Sequence, residues 1–451
     1  MATTVALLGT CDTKLEELVF LKEQIESSGS ASGGDEVNVH LIDVGRYPCD
    51  HPAISSCQDE LINDYYNNDC GPVEELPRGE FVKIMSCLAE EAVSRLCTSG
   101  RISGIISAGG SGNTSIAAAV MRNALPLGFP KLIVSTVASG DTKAYVGESD
   151  ITMMYTVVDI AGTNSLLRQV LSNAGAMIAG AARAYAARKM REHIAEYLPH
   201  ESDDNKKRKV GITMFGVTTR AVDVIREHLA KNYPDQVEVF VFHATGTGGK
   251  AMEKMVRDQQ LDAVLDLTTT EIADYVAGGV MSAGEARMSA CVDTRIPYLV
   301  SLGALDMVNF GGTDTLPKHL TQQGDRKWHE HNPAVTLMRV NEVEAKKIGE
   351  FIVEKLGYSE KKGRVKVVIP KGGLSLLSTA GKPFEDREVD EVLFRTVRDG
   401  LKDSAVEVIE DERDINDETL AKLMAEELVL MMGIKRANSD DMNIDSKAKG
   451  E

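Results

Sequence analysis

Short apolar segments alternate with longer amphipathic segments along most of the sequence, and this alternation constrains the fold more than any other feature. Strands that alternate with helices form βαβ units, in which neighbouring strands run parallel and helices cover the faces of the sheet. The sequence therefore predicts an α/β protein with mainly parallel sheets flanked by helices.

The alternation runs through the chain twice, on either side of a strongly polar segment at residues 200–209. Because 451 residues exceed what one hydrophobic core usually organises, we predict two Rossmann-like domains, 1–199 and 210–436, joined by the linker 200–209. Residues 437–451 are polar without apolar periodicity and are predicted to be a disordered tail. The predicted strands are residues 5–8, 39–44, 102–107 and 131–135, then 210–215, 237–242, 263–267, 298–301, 365–369 and 406–409.

Two helices are predicted with defined limits. Residues 164–198 have the pattern of one long helix or two consecutive ones, and Asn341 with Glu344 has the spacing of a capping box that starts a helix through residue 356. The loop at 9–14 in the first half corresponds to the loop at 216–220 in the second. Internal duplication and the general similarity of α/β domains both explain this correspondence.

The composition narrows the functional classes. With 68 acidic and 50 basic residues the formal charge is -18, which disfavours nucleic acid as a partner. No apolar segment is long enough to span a membrane, and the first residues lack the features of a signal peptide. The 7 cysteines are scattered without a Cys-x-x-Cys pair, which indicates a reducing compartment. We therefore expect a cytoplasmic protein that binds neither membranes nor nucleic acid.

The strongest local signal is a glycine loop between a predicted strand and a predicted helix. The loop Gly109-Gly110-Ser111-Gly112-Asn113-Thr114 follows the strand at 102–107 and precedes a helical pattern at 116–121. Glycines allow close approach of the backbone to a ligand, and a helix N-terminus offers unpaired N–H groups and a partial positive charge. The loop predicts a phosphate site; the alternative is a tight structural turn. Its spacing matches neither Walker A nor Gly-x-Gly-x-x-Gly.

Two further polar loops follow predicted strands in the same half. Gly9-Thr10-Cys11-Asp12-Thr13-Lys14 offers Lys14 to phosphate and Asp12 to a divalent metal or a sugar hydroxyl. Residues 135–142 contribute Thr136, Ser139 and Gly140. In an open parallel sheet, ligands bind where the loops leave the carboxyl ends of the strands. We therefore expect the three loops to form one site, whereas the loop at 9–14 taken alone is better explained by Asp12 or Thr13 capping the helix and by a solvated Lys14.

Other residues are weaker candidates. Asp43 follows the second predicted strand, where Rossmann-type folds often place a ribose-binding acid. In the second half, residues 243–250 and 268–271 predict either a second anion pocket or ordinary helix starts, since Thr268 and Glu271 have capping-box spacing. His329 and His331 lack an identifiable third metal ligand, so we expect a buried or hydrogen-bonded pair. Further pocket candidates are Asp141, Asp306 and His243.

The same loops carry a resemblance to a known family. The sequence resembles the ATP-binding N-terminal region of the tomato mosaic virus resistance protein, an inhibitor of tobamovirus replication, and its uncharacterised bacterial and fungal relatives. Shared motifs span nearly the whole chain and include, besides the loops above, residues 172–176, 211–219, 242–246, 303–311 and 329–332. The resemblance implies two Rossmann-like domains, ATP bound by the first, and a homodimer. Asn113 replaces a glycine of the family loop, and asparagine tolerates the left-handed conformation.

These observations predict an ATP-binding protein of unknown reaction, with Mg²⁺ accompanying the nucleotide and the second domain serving a small-molecule substrate or a protein partner. The alternative is an ATP-dependent enzyme, phosphotransferase or ligase-like, that acts on a small molecule in an interdomain cleft. It is motivated by the Gly-Gly-Asp-Gly-Thr loop of NAD and lipid kinases, in which Ser111 would replace the Asp. The glycine spacing disfavours a nicotinamide dehydrogenase. The predicted nucleotide ligands are Gly9, Thr10, Asp12, Thr13, Lys14, Gly109, Gly110, Ser111, Gly112, Asn113, Thr114, Thr136, Ser139 and Gly140.

Overall fold

A computed structural model describes residues 3–30, 36–65, 72–197, 207–318 and 326–435. The chain forms two compact units, Met1–His200 and Glu201–Glu451. Residues 200–206 of the predicted linker and the predicted tail 437–451 lie outside the described residues. Arg208 and Lys209, also assigned to the linker, already belong to the first strand of the second unit.

The first unit is built on one sheet of six parallel strands in the order β3-β2-β1-β4-β5-β6. Its first strand lies in the middle, since it pairs with β2 on one side and with β4 on the other. The strands are β1 (Thr3–Gly9), β2 (Val37–Asp43), β3 (Ile54–Ser56), β4 (Gly104–Gly109), β5 (Lys131–Ser135) and β6 (Thr152–Tyr155). The helices are α1 (Cys11–Ser30), α2 (Gln58–Tyr65), α3 (Arg78–Thr98), α4 (Ser111–Asn123), α5 (Lys143–Val146) and α6 (Ser165–Tyr197).

Side chains of β1 are buried on both faces of this sheet. Val5 and Leu7 pack in one cluster with residues of α1 and α6, whereas Ala6 and Leu8 pack in another with residues of α3 and α4. Successive side chains of a strand point to opposite faces, so helices on both sides require an uninterrupted apolar strand. This is why residues 5–8 are all apolar rather than alternating.

The second unit contains another sheet of six parallel strands, in the order β15-β14-β10-β9-β7-β8, and a three-stranded antiparallel sheet in the order β11-β13-β12. The strands are β7 (Arg208–Met214), β8 (Val237–His243), β9 (Ala263–Thr268), β10 (Tyr298–Gly303), β11 (Met307–Phe310), β12 (Trp328–Asn332), β13 (Val335–Arg339), β14 (Val365–Pro370) and β15 (Glu407–Asp411). The helices are α7 (Thr219–Asn232), α8 (Thr247–Arg257), α9 (Thr270–Ala277), α10 (Ser289–Thr294), α11 (Glu342–Gly357), α12 (Arg387–Leu401) and α13 (Glu418–Met431).

The predicted α/β class with mainly parallel sheets flanked by helices is confirmed. The capping box is also present: Asn341 Oδ1 accepts the Glu344 N–H at 2.9 Å, and a Glu344 carboxylate oxygen accepts the Asn341 N–H at 3.1 Å. Five strands were not predicted: β3, β6, β11, β12 and β13. The strands β3, β6 and β12 are short and largely polar or partly exposed, whereas β11 and β13 are mostly buried and form the small antiparallel sheet with β12. None of the described helices combines the length and the apolar character needed to cross a membrane.

A buried charge network joins Arg287 to residues on strands of the second sheet. Arg287 is 1% exposed and makes two hydrogen bonds of 2.6 Å to Asp266 and one of 2.8 Å to Glu271. Tyr298 and Thr213 donate further hydrogen bonds to Asp266, at 2.6 and 2.7 Å. A charge buried without a partner costs far more than a paired one, so these groups depend on one another.

We expect Arg287→Met to destabilise the second unit by about 3–5 kcal/mol, because it leaves Asp266 and Glu271 buried without their cation. Chemical denaturation followed by circular dichroism measures the change. Arg295→Met is the matched control, since the Arg295–Glu360 pair is exposed and should contribute little. Equal destabilisation by the two substitutions would show that the buried network is not a main determinant of stability.

Candidate functional site

The first sheet has a topological switch point between β1 and β4, where successive connections leave in opposite directions. Strand order 3-2-1-4-5-6 places the ligand crevice outside the carboxyl ends of these two strands. A cavity of about 750 Å³ lies at this position, between the loops that follow β1, β2, β4 and β5. It is lined by Thr10, Asp12, Thr13, Lys14, Arg46, Tyr47, Arg78, Phe81, Val82, Gly110, Ser111, Gly112, Asn113, Ile116 and Thr136.

The N-terminus of α4 opens into this cavity. Gly110 occupies the N-cap position with extended backbone angles, and no side chain caps the helix. The first N–H groups of a helix have no acceptor within the helix and attract anions. A Cβ placed on Gly112 would lie 3.4 Å from Arg78 Nη2, so a cation stands beside this turn. The N–H groups and the guanidinium together form a place for a phosphate-sized anion.

Three residues of the glycine loop make buried contacts that hold its conformation. Asn113 lies in α4 and is buried, and its amide donates to Ser107 Oγ at 2.8 Å and to the Ala108 carbonyl at 3.0 Å. The helix α4 begins at Ser111, so Asn113 lies inside it and does not have a left-handed backbone conformation. The expectation of such a conformation at Asn113 is therefore wrong. Thr114 shares a hydrogen bond of 2.7 Å with Ser135, and a Cβ on Gly109 would lie 2.5 Å from Asn113 Nδ2.

Two aspartates join the loop after β1 to the loop after β2. Asp43, at the end of β2, accepts the Cys11 N–H at 3.0 Å and the Gly45 N–H at 2.8 Å through Oδ1. Asp12, at the start of α1, accepts the Arg46 N–H at 2.9 Å and the Tyr47 N–H at 3.2 Å through Oδ2. Each loop thus holds the other, and we call Asp12 and Asp43 the aspartate clamp.

The clamp corrects two expectations. Asp43 has no exposed surface, and burial raises its pKa, so it cannot reach a ribose hydroxyl in the cavity. Asp12 lines the cavity, but one oxygen holds two N–H groups and the other is buried against Gly45, where a Cβ would lie 2.7 Å from Oδ1. The Asp12 carboxylate is therefore a positioning group rather than a ready metal ligand.

Three cations line the cavity: Lys14, Arg46 and Arg78. Arg46 is fixed, since its Nη1 donates to the Glu74 and Leu76 carbonyls at 2.9 and 2.8 Å and its guanidinium lies 4.6 Å from the Phe81 ring centre. Sequence reasoning missed Arg46 and Arg78. Arg46 could have been predicted, because it follows a predicted strand as the other candidate loops do. Arg78 could not, because it lies in α3 and only the packing of that helix brings it to the cavity.

Of the third predicted loop, residues 135–142, only Thr136 is among the residues that line the cavity. Thr136 lines the cavity, and a Cβ on Gly110 would lie 3.9 Å from its hydroxyl. Ser139 and Gly140 are exposed and are not among the residues that line the cavity. Asp141 is exposed and accepts the Lys143 N–H at 2.9 Å as a local cap. Gly9 lies behind the loop after β1, where a Cβ would lie 2.4 Å from Leu18.

The second glycine-rich loop, at the start of α8, is filled by the protein itself. Glu271 accepts the Gly246 N–H at 2.7 Å and the Gly249 N–H at 3.0 Å, and it is fully buried beside Arg287. Burial raises the pKa of Glu271, and the Arg287 guanidinium opposes that rise. The prediction of a second anion pocket is therefore wrong, because Glu271 takes the place of an external anion. The alternative of ordinary helix starts agrees with the structure, since α8 and α9 begin in these loops, but Glu271 caps α8 and forms no capping box with Thr268.

The remaining candidates lie elsewhere in the second unit. Asp306 is fully buried and accepts a hydrogen bond of 2.8 Å from Ser375 Oγ, so it belongs to the core. His243 is exposed, with its ring centre 5.5 Å from that of Phe215. His329 and His331 lie on β12, where His331 is exposed and His329 is partly exposed. The expectation that these two are buried is wrong, because four of the five residues of β12 are exposed.

Comparison with known proteins finds one family whose two domains match the two units of this chain. Residues 3–187 match the N-terminal domain, and residues 207–432 the C-terminal domain, of a family described as "Uncharacterised protein family (UPF0261)". A UPF0261 protein of Clostridium tetani is 41% identical over 439 residues, which cover 96% of this chain and 100% of that protein. The ToMV resistance protein Tm-1(GCR237) of Solanum lycopersicum is 41% identical over 405 residues, which cover 87% of this chain.

The match covers 51% of that tomato protein, so this chain spans about half of its length. Among solved structures, MurG of Acinetobacter baumannii aligns over 96% of this chain and 93% of its own, with 11% identity and a TM-score of 0.21. Similarity at that level supports no inference about function.

We expect Asp12→Ala to free the loop at residues 45–47, because the Arg46 and Tyr47 N–H groups lose their acceptor. Hydrogen–deuterium exchange of a peptide covering residues 44–50 should accelerate roughly tenfold or more, since hydrogen bonds to a charged group contribute about 1.5–3 kcal/mol. Asp12→Asn keeps an amide oxygen for the same N–H groups and should accelerate exchange less. Asp141→Ala removes a local cap elsewhere and serves as the control. Unchanged exchange in Asp12→Ala would contradict the clamp.

Proposed function

This chain belongs to the uncharacterised protein family UPF0261, and we propose that its N-terminal unit binds ATP in the cavity at the switch point of the first sheet. The observation that carries the proposal is the N-terminus of α4, which has no side-chain cap and faces a cavity lined by three cations. The phosphates would lie against residues 110–113, between Lys14 on one side and Arg78 on the other.

The charge of the cavity supports an anionic ligand. Its lining carries Lys14, Arg46 and Arg78 against one carboxylate, Asp12, in a protein whose overall formal charge is -18. A positive cleft in an acidic protein concentrates anions locally, because like-charged neighbours inside a cleft reinforce one another. A polyphosphate has the charge that matches several cations at once.

The size and the apolar part of the cavity support a nucleoside rather than phosphate alone. About 750 Å³ is within the range of small-molecule sites and exceeds what an inorganic phosphate fills. Phe81, Val82 and Ile116 supply apolar surface, and the Tyr47 side chain is 57% exposed. An exposed aromatic ring beside a phosphate site is suited to stack on a base.

In this proposal Mg²⁺ enters with the nucleotide, coordinated by its phosphates. Asp12 is the carboxylate among the described cavity-lining residues, and the clamp engages it. The phosphotransferase alternative requires a carboxylate where Ser111 stands in the glycine loop. Binding, rather than transfer, is therefore the function that we propose for this site.

Gly112→Leu tests the position of the phosphates. The new side chain would project toward Arg78 and occupy the cavity, while the backbone of Gly112 needs no left-handed conformation. Isothermal titration with Mg-ATP should give saturable binding to the original protein and affinity at least roughly tenfold lower for the variant, equivalent to about 1.4 kcal/mol. Gly180→Leu is the matched control, because Gly180 lies in α6 and a Cβ there meets nothing within 4 Å.

Equal affinity of Gly112→Leu and Gly180→Leu for Mg-ATP would place the nucleotide elsewhere. An absence of heat for every nucleotide, with no stabilisation against unfolding, would refute the proposal itself. Inorganic tripolyphosphate separates the two parts of the site: binding as tight as that of ATP would mean that the cavity recognises phosphate without the nucleoside.

Lys14→Met and Arg78→Met test the cations. Each should weaken Mg-ATP binding roughly tenfold or more, since a hydrogen bond to a charged group contributes about 1.5–3 kcal/mol. Both losses should shrink at high salt, because screening already weakens the charge interaction. Lys143→Met, in the exposed helix α5 outside the cavity lining, provides a control of equal charge change. Loss of affinity in all three variants would indicate a general charge effect instead of a site.

A further inference from the structure

Arg46 has a fixed position in the cavity of the first unit. Its backbone N–H donates to Asp12 at 2.9 Å, and its carbonyl accepts a hydrogen bond of 2.7 Å from the side chain of Gln58, which is fully buried. Its Nη1 donates to two backbone carbonyls in the segment before α3, at 2.9 and 2.8 Å. Backbone and guanidinium are therefore both held before a ligand arrives, which lowers the entropic cost of binding to this side chain.

One edge of the Arg46 guanidinium is not used by the protein. Nη1 makes the two hydrogen bonds, and Cζ lies 4.6 Å from the Phe81 ring centre. Among the described residues, none accepts a hydrogen bond from Nε or Nη2, and none forms an ion pair with this side chain. Neither atom is enclosed by the protein. Nε and Nη2 together form the edge of a guanidinium that matches the two oxygens of a carboxylate.

The carboxylate of the cavity lining does not serve that edge. Asp12 holds the Arg46 and Tyr47 backbone N–H groups with one oxygen, and its other oxygen is buried. The phosphates of the proposed nucleotide engage the other two cations, since Lys14 and Arg78 flank the N-terminus of α4. A nucleotide bound in this way would leave the Arg46 edge without a partner and partly desolvated, and such a charge is stabilised by an anion.

We propose that the cavity binds a small organic carboxylate together with the nucleotide, with the carboxylate on the Nε–Nη2 edge of Arg46. The inference rests on the proposed nucleotide site, because the nucleotide occupies the other two cations. The cavity volume of about 750 Å³ lies toward the upper end of the range of small-molecule sites, about 300–1,000 Å³, and leaves room for a second small ligand. Val82, half-buried in the lining, offers its carbon chain an apolar contact.

The geometry and charge of this position favour a carboxylate over a second phosphate. One guanidinium edge supplies two parallel N–H donors, which a planar carboxylate accepts with both of its oxygens. A free phosphate carries more negative charge and is repelled more strongly by the phosphates of a nucleotide in the same cavity. A carboxylate with a short aliphatic chain satisfies both the cation and the apolar wall.

Saturation-transfer NMR and isothermal titration on the full chain, saturated with the non-hydrolysable analogue Mg-AMPPNP, test the inference. The nucleotide blocks Lys14 and Arg78, so a carboxylate that still binds must use another cation. Among acetate, succinate and isovalerate, we expect saturable binding of isovalerate and weaker binding of acetate, which lacks the chain that contacts Val82. The neutral isostere isovaleramide should bind at least roughly tenfold more weakly than isovalerate, and inorganic phosphate should not displace isovalerate.

Substitutions separate the two ligands. Arg46→Met should weaken isovalerate binding roughly tenfold or more, whereas Arg78→Met should act mainly on Mg-AMPPNP. Arg46→Lys keeps the charge but loses the parallel donors, so it should weaken isovalerate binding nearly as much. Val82→Ala leaves the contacts of Arg46 in place and should weaken binding of isovalerate but not of acetate. Arg101→Met, at an exposed position outside the cavity lining, is the control of equal charge change.

The inference is overturned if none of the three carboxylates binds the nucleotide-saturated protein, or if Arg46→Met binds isovalerate as Arg101→Met does. Displacement of isovalerate by phosphate would show a general anion position instead of a carboxylate site. Competition between isovalerate and Mg-AMPPNP would also overturn it, because both ligands would then use the same cations. Failure of the proposed function is recognised separately, since Mg-AMPPNP would then not bind before any carboxylate is added.

Discussion

The pairing of β1 with β2 on one side and β4 on the other is the constraint on which the candidate site depends. Parallel pairing brings the carboxyl ends of these strands to one edge, and the order of the strands leaves a crevice between the loops after β1 and β4. The N-terminus of α4 faces that crevice because the helix starts directly after β4. Lys14 and Thr10 reach it because α1 starts directly after β1.

The two glycine loops of the chain show how tertiary packing decides the use of a shared pattern. Both follow a strand and open a helix. At α8 the N–H groups of Gly246 and Gly249 are held by Glu271, a carboxylate of the same unit. At α4 no side chain caps the helix, and cations surround the opening. The first of these loops is closed by the protein itself, and the second is the one at which we propose that a ligand binds.

The aspartate clamp shows the same distinction within one site. From the sequence, Asp12 and Asp43 were candidates for metal and ribose because carboxylates after strands often contact ligands. In the folded unit one oxygen of each carboxylate holds a backbone N–H group of the other loop, across 32 to 35 positions of the chain, and the second oxygen of each is buried. Their contribution is to place Lys14, Arg46 and Tyr47 around one cavity, rather than to contact the ligand themselves.

The sequence by itself determined the α/β class, most strands, the capping box at Asn341 and the identity of the glycine loop that begins α4. All of these depend on periodicity or on spacing within a few residues, which backbone geometry imposes directly. Tertiary structure alone decided that Arg78 from α3 stands beside Gly112, that Glu271 fills the second glycine loop, and that Ser139 and Gly140 lie outside the cavity. These facts depend on side chains brought together by strand order and helix packing, and short-range spacing carries no information about such long-range contacts.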